Sequence, residues 1–419
     1  MTSDTNEKPL GAASELLSAA AVRQRCAAMF DLGLAGKLEH FTLDMARLDA
    51  LAEQVAEMLS ETAGENGAPF YASWRSFEAG GHDRWSMLGA YRQWQDVREM
   101  GRAAFDLAFV TAILGVDPGS DWRYHEAATG EDHTGADGLA IASLAMFAGG
   151  LFSAKTSDPL RADATILARL SDEEIASGLQ HGPENPVAGF EGRCNLLRRL
   201  GEAVVLRDDL FATTDDPRPG GMFDLLFDEG QKAPLAAGRI LDVVLDGLVP
   251  IWPDRVAIDD IPLGDTWAHP ALTQDAVPTD GAVLVPFHTM AQKLGLSLVE
   301  PLIWAGVDVA DFNDLAGLAD LEHGGLFVDA GVILPRDAKA LSNQHDAGAL
   351  FVVEWRALTV TLLDQLADKV RASAELDAEQ LPLACIMQGG TLLLARKIAL
   401  EKRGNDRPSL GLASDGTVI

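Results

Sequence analysis

Six ionisable side chains crowd into one largely apolar stretch: His288, Glu300, His323, Asp329, Glu354 and Arg356. Each is costly to bury without a partner. The sequence therefore builds there either a buried polar network or a site. Asp329 follows the apolar run Leu326–Val328, and Glu354 follows Phe351–Val353. Either carboxylate would sit where water is scarce, and such a group stabilises a developing cation and orients a water molecule. Asp329 and Glu354 are the candidate catalytic carboxylates, and His288 is the candidate proton donor.

Binding candidates lie further apart in the chain. In PFYASWRSFEAGGHDRW (Pro69 to Trp85), Arg75, His82 and Arg84 alternate with aromatic residues around Gly80-Gly81. An arginine beside aromatics offers a stacking platform and an anion-binding fork. Arg84 is the anion candidate and Trp85 the stacking candidate. The competing reading packs the aromatics into the core and pairs Arg84 with Asp83 or Glu78. Arg356 is a second anion candidate. A helix starting at Gly389-Gly390-Thr391 would present free backbone N–H groups to a phosphate, which adds Gly390 and Thr391. Asp265, Trp267 and His269 alternate, so an extended segment turns all three to one side.

These residues need a frame to hold them. The chain has 419 residues, 47% of them apolar, enough for a sizeable core. It carries 33 basic against 63 acidic residues, a net charge of −30. Nucleic-acid affinity rests on Lys and Arg displacing counterions, so that partner is excluded. Cys26, Cys194 and Cys385 are widely separated. They form neither a disulfide framework nor a zinc motif, which suits a reducing cytosol. The opening residues show no basic start followed by an apolar run, so no signal peptide is expected. The longest uncharged run, Gly138 to Ala154, is shorter than the roughly 20 residues of a membrane span and reads as a core helix.

Apolar spacing predicts helices over Leu16–Phe30, Leu43–Leu59 (capped by Thr42), Val97–Leu114, Arg193–Leu206, Gly238–Leu248, from Trp355 to Val370, and Gly389–Arg403. Strand-like runs are few: Val283–Val285, Leu326–Val328 and Leu350–Val353. A mainly α fold with a few short strands follows. Residues 1–14 read as a flexible tail and 15–419 as one unit, with the Pro- and Gly-rich loop Thr213–Asp224 as the boundary between two lobes.

No GxGxxG follows a strand, and there is no GxxxxGK[ST], HExxH or GxSxG. P-loop, zincin and α/β-hydrolase chemistry are therefore disfavoured. The words that are present are distinctive: FEAGGHDRW, DWRY, GLVPIWP, LVPFH, SLVEPL, HGGLFVDAGV, VVEWRALTV, QGGT and the terminal SDGTV. In these the chain resembles the uracil-catabolism protein 4 family, once described as a domain of unknown function, from about Leu16 to Val418. It departs from that pattern at Thr289, where a lysine is expected, and at Glu322, where an arginine is expected. Gln292 and Leu294 after VPFH, and the Glu354-x-Arg356 pair, are similar to the queuosine-salvage N-glycosidases, whose helical fold is related to DNA glycosylases. Their catalytic aspartate aligns with Phe287 here.

The resemblance implies a place in pyrimidine degradation. Uracil there becomes a nucleotide, the ring opens, and urea is released. An N-ribosyl bond in a ribosylurea-type intermediate must be cut, so the expected activity is that of an N-glycosidase. The expected partner is a small ribosylated pyrimidine or urea compound, with Arg84, Trp85, Arg356, Gln292, Gly390 and Thr391 as binding residues. Neither a nucleic acid nor a membrane is expected as a partner. A phosphoribosyltransferase and a non-catalytic binding protein of the same route remain open alternatives. The Cys, His and carboxylate spacing suggests neither a metal nor an organic cofactor. Catalysis should accordingly survive exhaustive chelation, and an activity lost to EDTA and restored by one divalent ion would refute this.

Overall fold

The computed structural model describes residues 11–64, 67–211, 213, 216–252, 255–273, 281 and 283–418. Residues 1–10 of the expected 1–14 tail, and part of the Thr213–Asp224 loop, lie outside them. The fold is mainly α, as expected. Every sheet among the described residues is a two-stranded pair, including Phe41–Leu43 with Ile333–Pro335 and Thr266–Ala268 with Leu284–Pro286, both antiparallel.

The Val97–Leu114 helix runs through the core. Asp96 caps it by accepting from the Glu99 N–H (2.8 Å), and Gly115 ends it. Its buried faces pack on the helices Gly135–Ala148, Gly221–Gly230 and Thr289–Trp304. A second group gathers on the long helix Leu350–Ala374, which holds Ala19–Leu34 and Leu48–Thr62 against it. The buried apolar residues of both groups form one continuous cluster from Ala19 to Val418.

Four local expectations fail. Leu326–Val328 is not a strand but the end of a helix, Leu321–Asp329. Asp320 nucleates that helix as an N-cap, accepting from the His323 N–H at 3.0 Å. Leu350–Val353 opens the long helix, because a short apolar run buried all round has no periodicity to separate helix from strand. The last helix does not start at Gly389. It runs unbroken over Leu383–Arg403, with a π-turn at Met387–Thr391. Gly390 lets it approach Leu48–Thr62, since a Cβ there would lie 2.7 Å from a Val55 methyl. Thr42 is likewise not a cap but part of a strand.

By length and composition that last helix is the one among the described residues able to cross a membrane. It packs on Leu321–Asp329 and Leu48–Thr62, with 56% of its apolar window buried. The Gly138 run forms a buried helix, as expected.

A buried ion pair ties the parts together. Arg356 is fully buried and grips Asp265 with two bonds, 2.8 and 2.6 Å. It also donates to Thr289 Oγ1 (2.8 Å) and the Ala319 carbonyl (3.2 Å), and lies 4.0 Å over the Phe287 ring. Asp265 accepts from Trp267 Nε1 and from the Thr289 N–H, so it anchors the N-terminus of Thr289–Trp304, where negative charge is favoured. Burial pushes the Asp265 carboxyl up. The Arg356 charge and the hydrogen bonds outweigh this and lower it from 3.8 to about 2. A carboxyl depressed on folding stabilises above its unfolded pKa, and that contribution is lost as pH falls through the folded value. Asp265→Asn should therefore cost about 3–5 kcal/mol at neutral pH by leaving Arg356 buried without a counter-charge. In urea melts the gap to wild type should shrink between about pH 4 and pH 2. A gap that stays constant down to pH 2 would refute this account.

Candidate active site

The site is a cleft between three helices, and its polar lining follows from their periodicity. On Thr289–Trp304 the polar residues Thr289, Lys293, Ser297 and Glu300 fall about four apart, forming one stripe on a helix otherwise packed in the core. Pro301 lacks an N–H to return to the Ser297 carbonyl. Trp74 Nε1 takes that carbonyl at 2.7 Å, while Ser73 N–H bonds Ser297 Oγ and Arg75 pairs with Glu300. The segment Tyr71–Ala79 is thereby docked as one wall of the cleft. The Leu383–Arg403 helix supplies Gln388, Leu392 and Arg396, spaced four apart, as another. Leu321–Asp329 brings Glu322 in its first turn, preceded by Asp320.

Two connected cavities result. An inner one of about 460 Å³ is lined by Tyr71, Thr111, Lys293, Glu322, Gln388 and Arg396, among others. A wider, polar one of about 1050 Å³ opens beside it, past Asp320, His133 and the chain around Arg407. Lys293, Glu322, Arg396 and Asp137 line both.

Charges at this junction are arranged in pairs. Lys293 Nζ is 3.4 Å from Asp320 Oδ2, and Arg396 is 3.8 Å from Asp137. His323, fully buried, donates from Nδ1 to Asp320 Oδ1 at 2.6 Å. Burial pushes the Asp320 carboxyl up. His323 and Lys293 beside it, with the His323 hydrogen bonds, reverse this and hold it well below the carboxylate range. Glu322 goes the other way, because burial and the Asp320 charge both raise it. Burial alone would lower Lys293, but Tyr71, Asp320 and Glu322 raise it, so it stays a cation. Four side-chain atoms of cleft-lining residues are buried without a hydrogen-bond partner: Arg75 Nε, Thr111 Oγ1, Ser409 Oγ and Asp320 Oδ2, the last facing the Lys293 ammonium. Buried polar atoms are normally satisfied, so these mark places for ligand or water.

Of the residues singled out from the sequence, four come together behind the cleft. Arg356 holds Asp265. His288 adopts a left-handed backbone (φ 49°) and donates from Nε2 to the Leu16 carbonyl at 2.9 Å. Burial lowers its pKa. Gln292 Nε2 donates to the Phe287 carbonyl. Glu354 accepts from the Glu39 and His40 N–H groups (3.0 and 2.9 Å) and lies 3.5 Å from His269. Burial pushes Glu354 up, but these hydrogen bonds bring it below its ordinary value. Asp265, Trp267 and His269 belong to this layer, so the alternation read from the sequence turns them into the core. None of the four lines the cleft. The layer meets the cleft at Thr289.

The others lie elsewhere. Asp329 is held by both Arg403 nitrogens (2.7 and 2.8 Å) at the far end of its helix. Trp85 stacks on Trp94 and Trp304. Gly390 and Thr391 are buried in the π-turn, and Thr391 Oγ1 bonds the Met387 carbonyl. Arg84 forks onto Glu126 (2.7 and 2.6 Å) and donates to the Phe77, Ala79 and His82 carbonyls. Its partner is thus neither Asp83 nor Glu78. Glu126 sits at about 2, held down chiefly by the Arg84 hydrogen bond. Arg84 joins the Ala79 wall to the Tyr124–His133 hairpin, which contributes Asp132 and His133 to the cleft. Sequence reasoning missed Tyr71, Thr111, Lys293, Asp320, Glu322, Gln388 and Arg396. The four-residue polar stripe was the available signal for Lys293.

Residues 15–419 match the family described as "Protein of unknown function (DUF1688)". The chain belongs to this family. It is 30% identical over 417 residues to Protein urg3 of Schizosaccharomyces pombe, covering 97% of this chain and 98% of that protein. It is 29% identical over 418 residues to Uracil catabolism protein 4 of Lachancea kluyveri, covering 92% of this chain and 93% of that protein. The family match takes in the whole cleft and the ion-pair layer behind it. Among the described residues no group of three His, Cys, Asp or Glu is placed to hold a metal ion.

Arg84→Ala should remove several charge-assisted bonds and destabilise the protein by on the order of 2 kcal/mol. A urea melt checks this, and an unchanged midpoint would show that Arg84 is not the staple between these walls.

Proposed function

We propose that this chain acts in uracil catabolism by hydrolysing the N-ribosyl bond of a ring-opened, ribosylurea-type intermediate or a related nucleotide. The name of the Lachancea relative supports the pathway. The observation that carries the reaction is the pair Asp320 and Glu322. They lie two residues apart on one cleft wall, with their pKa values pushed in opposite directions. Two carboxyls separated in this way divide acid and base roles.

The chemistry follows from those charge states. As the C1′–N bond breaks, its electron pair moves to the nitrogen and positive charge develops on the ribosyl ring. Glu322, protonated, gives its proton to the departing nitrogen. Ionised Asp320, in low dielectric, stabilises the ribosyl cation. Water adds to C1′ and returns its proton to Glu322. Ribosylurea and water thus yield ribose and urea. Lys293 and His323 keep Asp320 ionised and oriented, and Tyr71, Thr111 and Gln388 offer hydrogen bonds to the substrate.

The pH dependence has a definite sign. Activity should fall as pH rises through the raised pKa of Glu322, because the donor loses its proton. It should fall in acid only below the ordinary carboxylate range, where Asp320 becomes protonated. Glu322→Gln keeps the shape and removes the donor. Urea release from ribosylurea should drop by about 100-fold or more, with the melting temperature retained. A variant that turns over at the wild-type rate would refute the assignment.

A further inference from the structure

We infer that the substrate of this cleft is uncharged: an N-ribosyl compound without a phosphate, rich in hydrogen-bond donors. This rests on the N-ribosyl reading above and settles on one of its two substrate forms.

The cations of the junction are already matched. Lys293 faces Asp320 and Arg396 faces Asp137, while Arg75 is shared by Glu300 (2.9 Å) and Glu78 (3.3 Å). The wider cavity adds Asp117, Asp121, Asp132 and Asp406 to Asp137 and Asp320, against Lys293, Arg396 and Arg407 with His133. Arg407 is itself engaged, donating to the Ser120 carbonyl. The approach to the site is therefore acidic, on a chain whose net charge is −30. A cavity in which carboxylates outnumber cations carries a field that repels an anion. A phosphate monoester brings nearly two negative charges and oxygens that only accept hydrogen bonds. It would meet carboxylates that also only accept.

A ribosyl urea is the complementary ligand. Its sugar hydroxyls and urea N–H groups are donors, and carboxylate walls are acceptors for them. Of the buried atoms left without partners, the Thr111 and Ser409 hydroxyls both accept and donate and carry no charge. Arg75 Nε belongs to a guanidinium already held by Glu300 and Glu78. If the route passes through a nucleotide, a phosphate-removing reaction must precede this one.

The test compares a matched pair, ribosylurea and its 5′-phosphate, by calorimetric titration of the full chain at low and high salt. Ribosylurea should bind at least tenfold more tightly at low ionic strength, and the gap should narrow as salt screens the carboxylates. In a second arm, Asp121→Asn with Asp132→Asn should raise affinity for the phosphate relative to ribosylurea and so narrow the gap at low salt. Equal or tighter binding of the phosphate overturns the inference, as does failure of both compounds to bind. Tight binding of ribosylurea without urea release leaves the inference standing and refutes the glycosidase reading instead.

Discussion

The Asp265–Arg356 pair is the interaction on which the arrangement of this protein depends. A fully buried guanidinium is tolerable only with a charge partner and filled donor positions. Meeting that demand fixes three things at once. It sets the second turn of Leu350–Ala374 against the Asp265–His269 segment. It holds the start of Thr289–Trp304 through the Thr289 hydroxyl and N–H. It also places Phe287 under the guanidinium. Glu354, two residues before Arg356, binds the Glu39–His40 backbone and so ties the N-terminal helices to the same layer. Lys293 is presented to the cleft one turn along the helix whose beginning this layer fixes.

The cleft shows a comparable economy at Asp320. One carboxylate caps the Leu321–Asp329 helix, orients His323 and neutralises Lys293. Local folding of that segment and the charge state of the site are therefore the same fact. Glu322, one position past the helix start, is raised first by burial and then by the charge of Asp320. The two carboxyls are shifted in opposite directions because of what surrounds them and not because of their type.

Packing in the rest of the molecule serves to hold these walls. The Trp74, Trp85 and Trp304 rings lie against one another beneath the Tyr71–Ala79 wall, and Arg84 secures that wall to the Tyr124–His133 hairpin. Pro301 contributes by what it lacks. The carbonyl it leaves free receives the Trp74 indole, so a break in the helix ladder becomes the docking point of a neighbouring segment. The short strand pairs act as clips between helices and not as a layer of the fold.

Much of the architecture was legible in the sequence, because helical periodicity is a local property. Val97–Leu114 was read with its ends, and Gly115 with Asp117-Pro118 marks its close chemically. The mainly α class and the importance of the Val283–Arg356 stretch were legible for the same reason. Short apolar runs such as Leu326–Val328 were not, because burial on every side erases the alternation that distinguishes strand from helix. Charged residues in apolar surroundings announced that something polar is buried, but not whether it faces a partner or a cavity. His288, Gln292, Glu354 and Arg356 found their partners in Leu16, Phe287, the Glu39–His40 backbone and Asp265, and the first, third and fourth of these are distant in sequence. Lys293, Glu322 and Arg396 come from three separate helices and form a cleft only once those helices pack. The sequence by itself determined which side chains need partners. Only the tertiary structure decided which partner each obtains, because pairing across 91 residues, as between Asp265 and Arg356, is set by the packing of helices and not by spacing along the chain.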